Sequence, residues 1–239
     1  MDKFLTGRYA IVTGATRGIG RAIAETLAAS GAAVAICSRK QEEAESAAKE
    51  IAASTGAKVV GAAADVSNEK DVQRLFEFVD RELGGLDILV NNAGIGAWAP
   101  VAELTIDDWR RVMGTNLDGV FYCCHEALPR FRRRGSGFVI NISSLAGKNP
   151  MAGGSAYNAS KFGLNGFSEA MMMDHRYDNV KVCYIMPGSV STDFNIRRAG
   201  VSDWKIAPED IAEIVLTVLR MPERTLISRV EVRPSKPKK

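Results

Sequence analysis

Tyr157 and Lys161 stand four residues apart in Tyr157-Asn158-Ala159-Ser160-Lys161, and on a helix that spacing stacks a phenol and an ammonium on one face. A free phenol ionises near pH 10, whereas proton transfer in catalysis works best with a pKa near the working pH. A neighbouring cation favours the phenolate, so the pair reads as an acid/base device. The spacing recurs at Tyr177 and Lys181, but Asp178-Asn179 reads there as a turn feeding the apolar run from Val180 to Met186. For the first pair the bland alternative is a helix-surface contact worth ~0.2–0.5 kcal/mol.

A second chemical feature lies near the N-terminus. The short apolar run Tyr9-Ala10-Ile11-Val12 ends in Thr13-Gly14-Ala15-Thr16-Arg17-Gly18-Ile19-Gly20 and passes into the helical spacing of Arg21 to Leu27. Strand, glycine turn and helix form a phosphate-binding arrangement, because glycines let the backbone approach a diphosphate and free N–H groups at the helix start face the anion. The alternative is a tight turn with no ligand. After the second apolar run, Ala32 to Cys37, the chain reads Ser38-Arg39-Lys40 with no carboxylate before Glu42. An acidic residue there holds an NAD ribose, and an arginine accommodates a 2′-phosphate, so Arg39, with Arg17 on the same side, points to NADP(H).

These features need elements to position them. Apolar runs at Lys58 to Ala64, Leu86 to Val90, Phe138 to Ile142, Val180 to Met186 and Leu226 to Val232 read as further strands. Between them lie the helices Gln41 to Thr55, one opened by Asn68 and Asp71, one from Thr105 towards Arg134 with Pro129 expected to kink or end it, the helix of Tyr157, and Pro208 to Arg220. Alternation without linker or repeat predicts an α/β fold: a single-domain, Rossmann-type, doubly wound parallel sheet of about seven strands with helices on both faces. The domain is expected to span 1–233, with 234–239 a disordered basic tail. Asn91-Asn92-Ala93-Gly94 falls at the C-terminal end of a strand, where ligands bind in such sheets. Asn116, taken alone, reads as a surface or capping residue.

Composition narrows the function. The 239 residues are 46% hydrophobic and 25% charged, and a net charge of +3 is too small to argue for nucleic acid. Arg132-Arg133-Arg134 reads as a solvated helix end. Cys37, Cys123, Cys124 and Cys183 lack Cys-x-x-Cys spacing, and His125 and His175 have no clustered carboxylates, so no metal is expected. No apolar run has the length of a membrane span or the form of a signal peptide, which makes a cytoplasmic location the expectation.

Taken together, Thr13-Gly14-x-x-x-Gly18-Ile19-Gly20, Asn91-Asn92-Ala93-Gly94, Asn116, Ser144, Tyr157-x-x-x-Lys161 and Pro187-Gly188 resemble the short-chain dehydrogenase/reductase family in order and spacing, with Ser144 thirteen residues before Tyr157. The general sequence is similar to its 3-oxoacyl reductase branch. The resemblance implies that Tyr157 exchanges a proton with a carbonyl oxygen as nicotinamide exchanges hydride with the carbon. It implies that Lys161 lowers the phenol pKa and holds the nicotinamide ribose, that Ser144 holds the substrate oxygen, and that Asn116 keeps a relay water. It assigns Gly14, Thr16, Arg17, Gly18, Ile19 and Gly20 to the phosphates and Asp65 and Val66 to the adenine. Asn91, Ala93 and Gly94 fall to the ribose region, Pro187, Gly188, Val190 and Thr192 to the nicotinamide end, and Arg39 to an NADP-preferring site. Only nineteen residues separate Gly188 from Pro208, which implies a short lid and an open or weakly selective site. The C-terminal stretch Ile227 to Pro234 replaces the family's Gly-rich terminus, against the usual tetramer contacts. The helices ending near Arg134 and His175 remain available for a homodimer, so homodimer and homotetramer both stay open.

The expected activity is NADPH-dependent reduction of a ketone or aldehyde, hydrophobic or of 3-oxoacyl type, with Trp98, Met151, Phe194 and Ile196 as candidate apolar pocket residues. An acyl-carrier partner is not favoured: Arg132 to Arg134 would suit one, but the Met171-Met172-Met173-Asp174 stretch is not basic, and its apolar stripe is expected to pack. A catalytically idle NADP-binding sensor or interaction protein is the alternative, and the intact Ser144, Tyr157, Lys161 and Asn116 set argues against it. Alcohol oxidation with NAD would need a carboxylate after the second strand.

Overall fold

In the computed structural model, which describes residues 2–192, 194 and 204–237, apolar side chains alternate across one parallel sheet. In β1 (Tyr9–Thr13), Ala10 and Val12 enter one core and Ile11 the other; in β2 (Ala33–Ser38), Val34 and Ile36 oppose Ala35 and Cys37. The period of two is what a sheet buried on both faces requires. Joined by β3 (Val59–Ala63), β4 (Ile88–Asn91), β5 (Gly137–Ile142), β6 (Val180–Pro187) and β7 (Arg229–Val232), they run in the order β3-β2-β1-β4-β5-β6-β7. All six pairings are parallel.

Helices α1 (Gly18–Ala29), α2 (Gln41–Thr55) and α7 (Pro208–Leu219) supply Ile23, Leu27, Ile51, Ile211 and Val215 to one core. The other core receives Phe76, Phe131 and Leu164 from α3 (Glu69–Leu83), α5 (Gly119–Arg134) and α6 (Ser155–His175). Several starts follow the sequence: Asn68 accepts from the backbone of Lys70 and Asp71, Thr105 caps α4 (Ile106–Met113), and Pro208 occupies the first turn of α7. Since β1 lies beside β4, the order in which strands are added reverses between these two parallel strands, and their C-terminal ends open a crevice.

Four expectations change. The helix from Thr105 is interrupted by a π-helical turn at Gly114–Asp118, which carries Asn116 fully inward. Pro129 neither ends nor breaks α5, which runs on to Arg134. Pro129 and His125, whose carbonyl loses its helical partner to the proline, both lie on the exposed side of the helix, where the missing bond costs least. The last strand is confined to Arg229–Val232, the stretch in register with Tyr184 to Pro187. Arg134 is also not merely solvated, because it joins Arg8 on buried Asp87, which accepts from the Tyr9 backbone as well. Of the methionine stripe, Met171 packs and Met173 is exposed. Residues 234–237 follow β7, while Lys238 and Lys239 lie outside the described residues. No helix among the described residues is long and apolar enough to cross a membrane.

Below the crevice runs a buried amide chain: Asn91 Nδ2 donates to Asn141 Oδ1 at 2.9 Å, and Asn141 Nδ2 to Ser168 Oγ at 2.8 Å. It ties β4, β5 and α6 together. Replacing Asn141 by alanine should cost about 1–3 kcal/mol for each buried partner left unsatisfied, measured as a lower urea midpoint. An unchanged midpoint would mean that the chain is ornamental.

Candidate active site

At the crevice, Gly14 and Gly18 have φ of +63° and +58°, a conformation side-chain-bearing residues rarely adopt. A Cβ at Gly14 would also stand 2.8 Å from Ala93 Cα, so the two strand ends meet only because that position is bare. Arg17 precedes α1 in an extended conformation with no side-chain cap, so the first-turn N–H groups of Gly18, Ile19 and Gly20 find no side-chain partner there. The turn is held from the β4 side. Asn92 Nδ2 donates to the carbonyls of Thr13 and Gly14 at 2.9 and 3.0 Å, and Thr13 Oγ1 accepts from the Asn92 and Ala93 backbone at 3.0 Å.

Arg17 and Arg39 are exposed and make no hydrogen bond or ion pair among the described residues. Lys40, by contrast, is spent on Glu43 at 2.8 Å. Glu43 is held below the usual carboxylate range chiefly by Lys40, with smaller contributions from Arg17 and Arg39. Both arginines therefore project charge onto one corner of the crevice. An uncapped helix start, two left-handed glycines and two uncommitted guanidinium groups fit the diphosphate and an added phosphate of a dinucleotide.

The remaining sequence-selected residues take different parts. Asp65 Oδ1 accepts from the backbone and hydroxyl of Ser67, shaping the turn after β3, and Val66 is buried with its carbonyl close to Gly119. Asn91 turns its amide into the sheet, away from the crevice. Pro187 closes β6, and Gly188 N donates to Val232 O at 2.8 Å. Val190 bridges to Ile206, and the Thr192 methyl lies 3.3 Å from where a Gly18 Cβ would be. The 187–192 strap thus faces the glycine turn across the crevice, with Thr16 and Ile19 partly exposed beside it.

Tyr157, Lys161, Ser144 and Asn116 converge next to this crevice. Burial raises the Tyr157 pKa, and a hydrogen bond with the Ser144 hydroxyl opposes that rise. Lys161 is 4% exposed, and burial pushes its pKa down to about 8. Its Nζ donates to the Ile142 carbonyl at 2.8 Å and stands 5.9 Å from the Tyr157 ring centre. Gly94, lacking a side chain, leaves the approach to that ammonium open: a Cβ there would lie 3.8 Å from Nζ and 3.5 Å from Asn116 Oδ1. The Asn116 amide accepts from Ile95 N at 2.8 Å and donates to Ile95 O at 2.9 Å and Ser160 Oγ at 3.0 Å. Ser160 Oγ in turn donates to the Tyr157 carbonyl.

The Tyr157 ring lies between Trp98 and Phe194, with centroids 5.2 and 5.8 Å away. Met151 is half exposed at the loop before α6, and Ile196 lies outside the described residues. Tyr177 is 94% exposed on a turn and Lys181 lies in β6, so the second pair shares no helix face. Sequence reasoning gave no role to Asn92, Asn158 or Asn165. For Asn165 a signal existed: it lies eight residues after Tyr157 and four after Lys161, on the same helix stripe.

The sheet order and the crevice define a doubly wound α/β protein of dinucleotide-binding type. The short chain dehydrogenase family profile matches residues 8–200, and the chain belongs to that family. It is 33% identical over 230 residues to an uncharacterised oxidoreductase of Staphylococcus aureus (strain USA300), covering 96% of this chain and 98% of that one. It is also 33% identical over 240 residues to the glycine betaine reductase of Emericella nidulans, covering 96% of this chain but 19% of that protein. A metagenomic short-chain oxidoreductase solved in complex with NADP superposes with TM-score 0.85 at 35% identity, covering 97% of this chain and 99% of that one. An alcohol dehydrogenase from Thermococcus sibiricus complexed with 5-hydroxy-NADP superposes with TM-score 0.90 at 27% identity and the same coverage.

The depressed Lys161 pKa has a thermodynamic consequence. Between about pH 8, its folded value, and its ordinary 10.5, the unfolded chain binds more protons than the folded one, so stability from this group rises with pH. The cost of burying the ammonium is fully present below pH 8. Urea midpoints across that window should climb more steeply for the wild type than for Lys161→Met, and parallel curves would refute the shift.

Proposed function

We propose that the protein is an NADP(H)-dependent oxidoreductase that interconverts a carbonyl compound and its alcohol, with Tyr157 as general acid and base. The observation that carries this reading is the convergence at one crevice of the buried Tyr157 phenol, the Ser144 hydroxyl that opposes the rise in its pKa, buried Lys161 and the open face of Gly94. When bound, the nicotinamide supplies or accepts the hydride. Tyr157 gives its proton to the substrate oxygen in reduction and takes it back in oxidation, and Ser144 donates a hydrogen bond to that oxygen. Lys161 binds the ribose hydroxyls and favours the phenolate, and Asn116 holds the Ile95 loop and the first turns of α6 in place around them.

NADP(H) is favoured over NAD(H) by Arg17 and Arg39, which stand uncommitted while Lys40 is neutralised by Glu43, and by the NADP ligands named for the two similar solved structures. The aromatic rings of Trp98 and Phe194 against Tyr157 support a hydrophobic ketone or aldehyde, the 3-oxoacyl type included. Exposed Phe121 on α5 and Phe162 and Met173 on α6 support pairing of two copies across these helices.

Fluorescence titration should give tighter binding of NADPH than of NADH. Arg39→Ala should weaken NADPH about tenfold or more, as expected for loss of a charged hydrogen bond, and leave NADH unchanged. Equal affinities in the wild type would remove the case for the two arginines. In a second assay, NADPH oxidation with a panel of ketones and aldehydes, Tyr157→Phe should lose ~10²–10⁴-fold in turnover with cofactor binding nearly intact. Tyr177→Phe should behave as wild type. Retained turnover in Tyr157→Phe would reassign the acid.

A further inference from the structure

The loop that carries Ser144 is held on both sides of that residue by one amide, and farther along by Asn158. β5 ends at Ile142, Ser144 is extended, and a single 3-10 turn follows at Leu145–Gly147. Asn165, on α6, accepts from Ser143 Oγ at 2.5 Å and donates to the Gly147 carbonyl at 3.0 Å. Its second amide hydrogen points to Met186 Sδ at 3.5 Å. Thus one side chain holds the residue before Ser144 and the end of the turn after it. There is no slack on the far side: a Cβ at Gly147 would meet Asn165 Nδ2 at 2.6 Å and the Lys161 carbonyl at 2.7 Å.

The geometry matters because α6 carries both halves of the arrangement. Tyr157, Lys161 and Asn165 fall at i, i+4 and i+8, on one stripe of a helix that is continuous from Ser155 to His175. Lys161 binds the Ile142 carbonyl, one residue before Ser143. The distance between the Ser144 hydroxyl and the Tyr157 phenol is therefore set through a rigid helix and a doubly hydrogen-bonded amide, in place of an unsupported loop. A hydrophobic residue at 165 would fill the space but release both bonds.

We propose that Asn165 is a positioning residue that holds the Ser144 hydroxyl against the Tyr157 phenol and the substrate oxygen. The proposal rests on the acid/base reading of Tyr157 given above. Asn165 touches neither substrate nor cofactor; its effect passes entirely through Ser144. Two consequences separate this from a stabilising role alone. Removing Asn165 should disturb the phenol even in the folded protein without ligand, and it should add little once the Ser144 hydroxyl is already gone, because residues acting in one chain are non-additive.

The test uses Asn165→Leu, Ser144→Ala and the double variant, in full-length protein with carbon-13 at tyrosine Cζ and the Tyr157 resonance assigned by its loss in Tyr157→Phe. The Tyr157 signal should move in Asn165→Leu in the direction it moves in Ser144→Ala, and no further in the double variant. In the ketone and aldehyde assay, Asn165→Leu should lower kcat by about 10²-fold, the scale of a small misplacement at a reacting centre. NADPH affinity should be unchanged, and the double variant should be no slower than Ser144→Ala. Ser143→Ala, which deletes only one of the two bonds, should shift the signal in the same direction by less, and it serves if Asn165→Leu folds poorly. A wild-type Tyr157 signal in folded Asn165→Leu and Ser143→Ala, with Ser144→Ala shifted, overturns the positioning role and leaves the acid/base reading intact. A wild-type signal in Ser144→Ala likewise overturns the positioning role, whereas the acid/base reading stands or falls with the turnover of Tyr157→Phe.

Discussion

A charged ammonium with almost no access to water sits between α6 and the end of β5, and the surrounding structure accommodates it. Burying a cation is expensive unless it is hydrogen-bonded, and Lys161 finds the Ile142 carbonyl at a strand end where the sheet no longer uses it. That contact fixes how closely α6 approaches β5. The same stripe of α6 then supplies Tyr157 to the crevice and Asn165 to the following turn, while Asn158 donates to the Ala146 and Asn149 carbonyls and accepts from Met151 N. The loop from Ser143 to Met151 is thus satisfied largely by helix side chains, which is how an irregular segment can lie against the core without unpaired backbone groups.

Much of this architecture is legible in the sequence where local rules suffice. Alternating apolar residues announce strands such as Ile11 and Val34 to Cys37, and Asn68, Thr105 and Pro208 mark helix starts because a cap needs only its own neighbours. The order of motifs from Thr13 to Gly188 likewise brings the phosphate turn and Tyr157 to one edge of the sheet. What the sequence conceals is tertiary. Asn116 reads as a surface amide because nothing nearby announces the π-helical turn, whose inward residue is satisfied by Ile95 and Ser160 from other segments. Pro129 misleads because its cost depends on which side of α5 meets solvent. Asn92 and Asn165 go unassigned since their partners, Thr13 with Gly14 and Ser143 with Gly147, lie about eighty and twenty residues away.

Charge shows the same division. In sequence Arg17, Arg39 and Lys40 are three cations near one turn, equivalent as point charges. In the folded chain Glu43 at the start of α2 captures Lys40, and the two guanidinium groups are left at the crevice. Those are also the groups whose planar donor geometry suits a phosphate. The proposed preference for a phosphorylated ribose is in this sense a matter of subtraction: one carboxylate removes the cation least suited to the task.

All four cysteines are free and lie inside the protein. Burial pushes the Cys37 thiol up to about 11 and Cys124 and Cys183 to about 12, and it raises Cys123 well above the ordinary thiol value. Thiolate is the form that oxidants and alkylating reagents attack, so burial and a raised pKa both protect the native thiols at neutral pH. The fold is consequently a clean background for site-directed labelling, in which a single cysteine introduced on the surface carries a fluorophore or spin probe without removal of any native thiol.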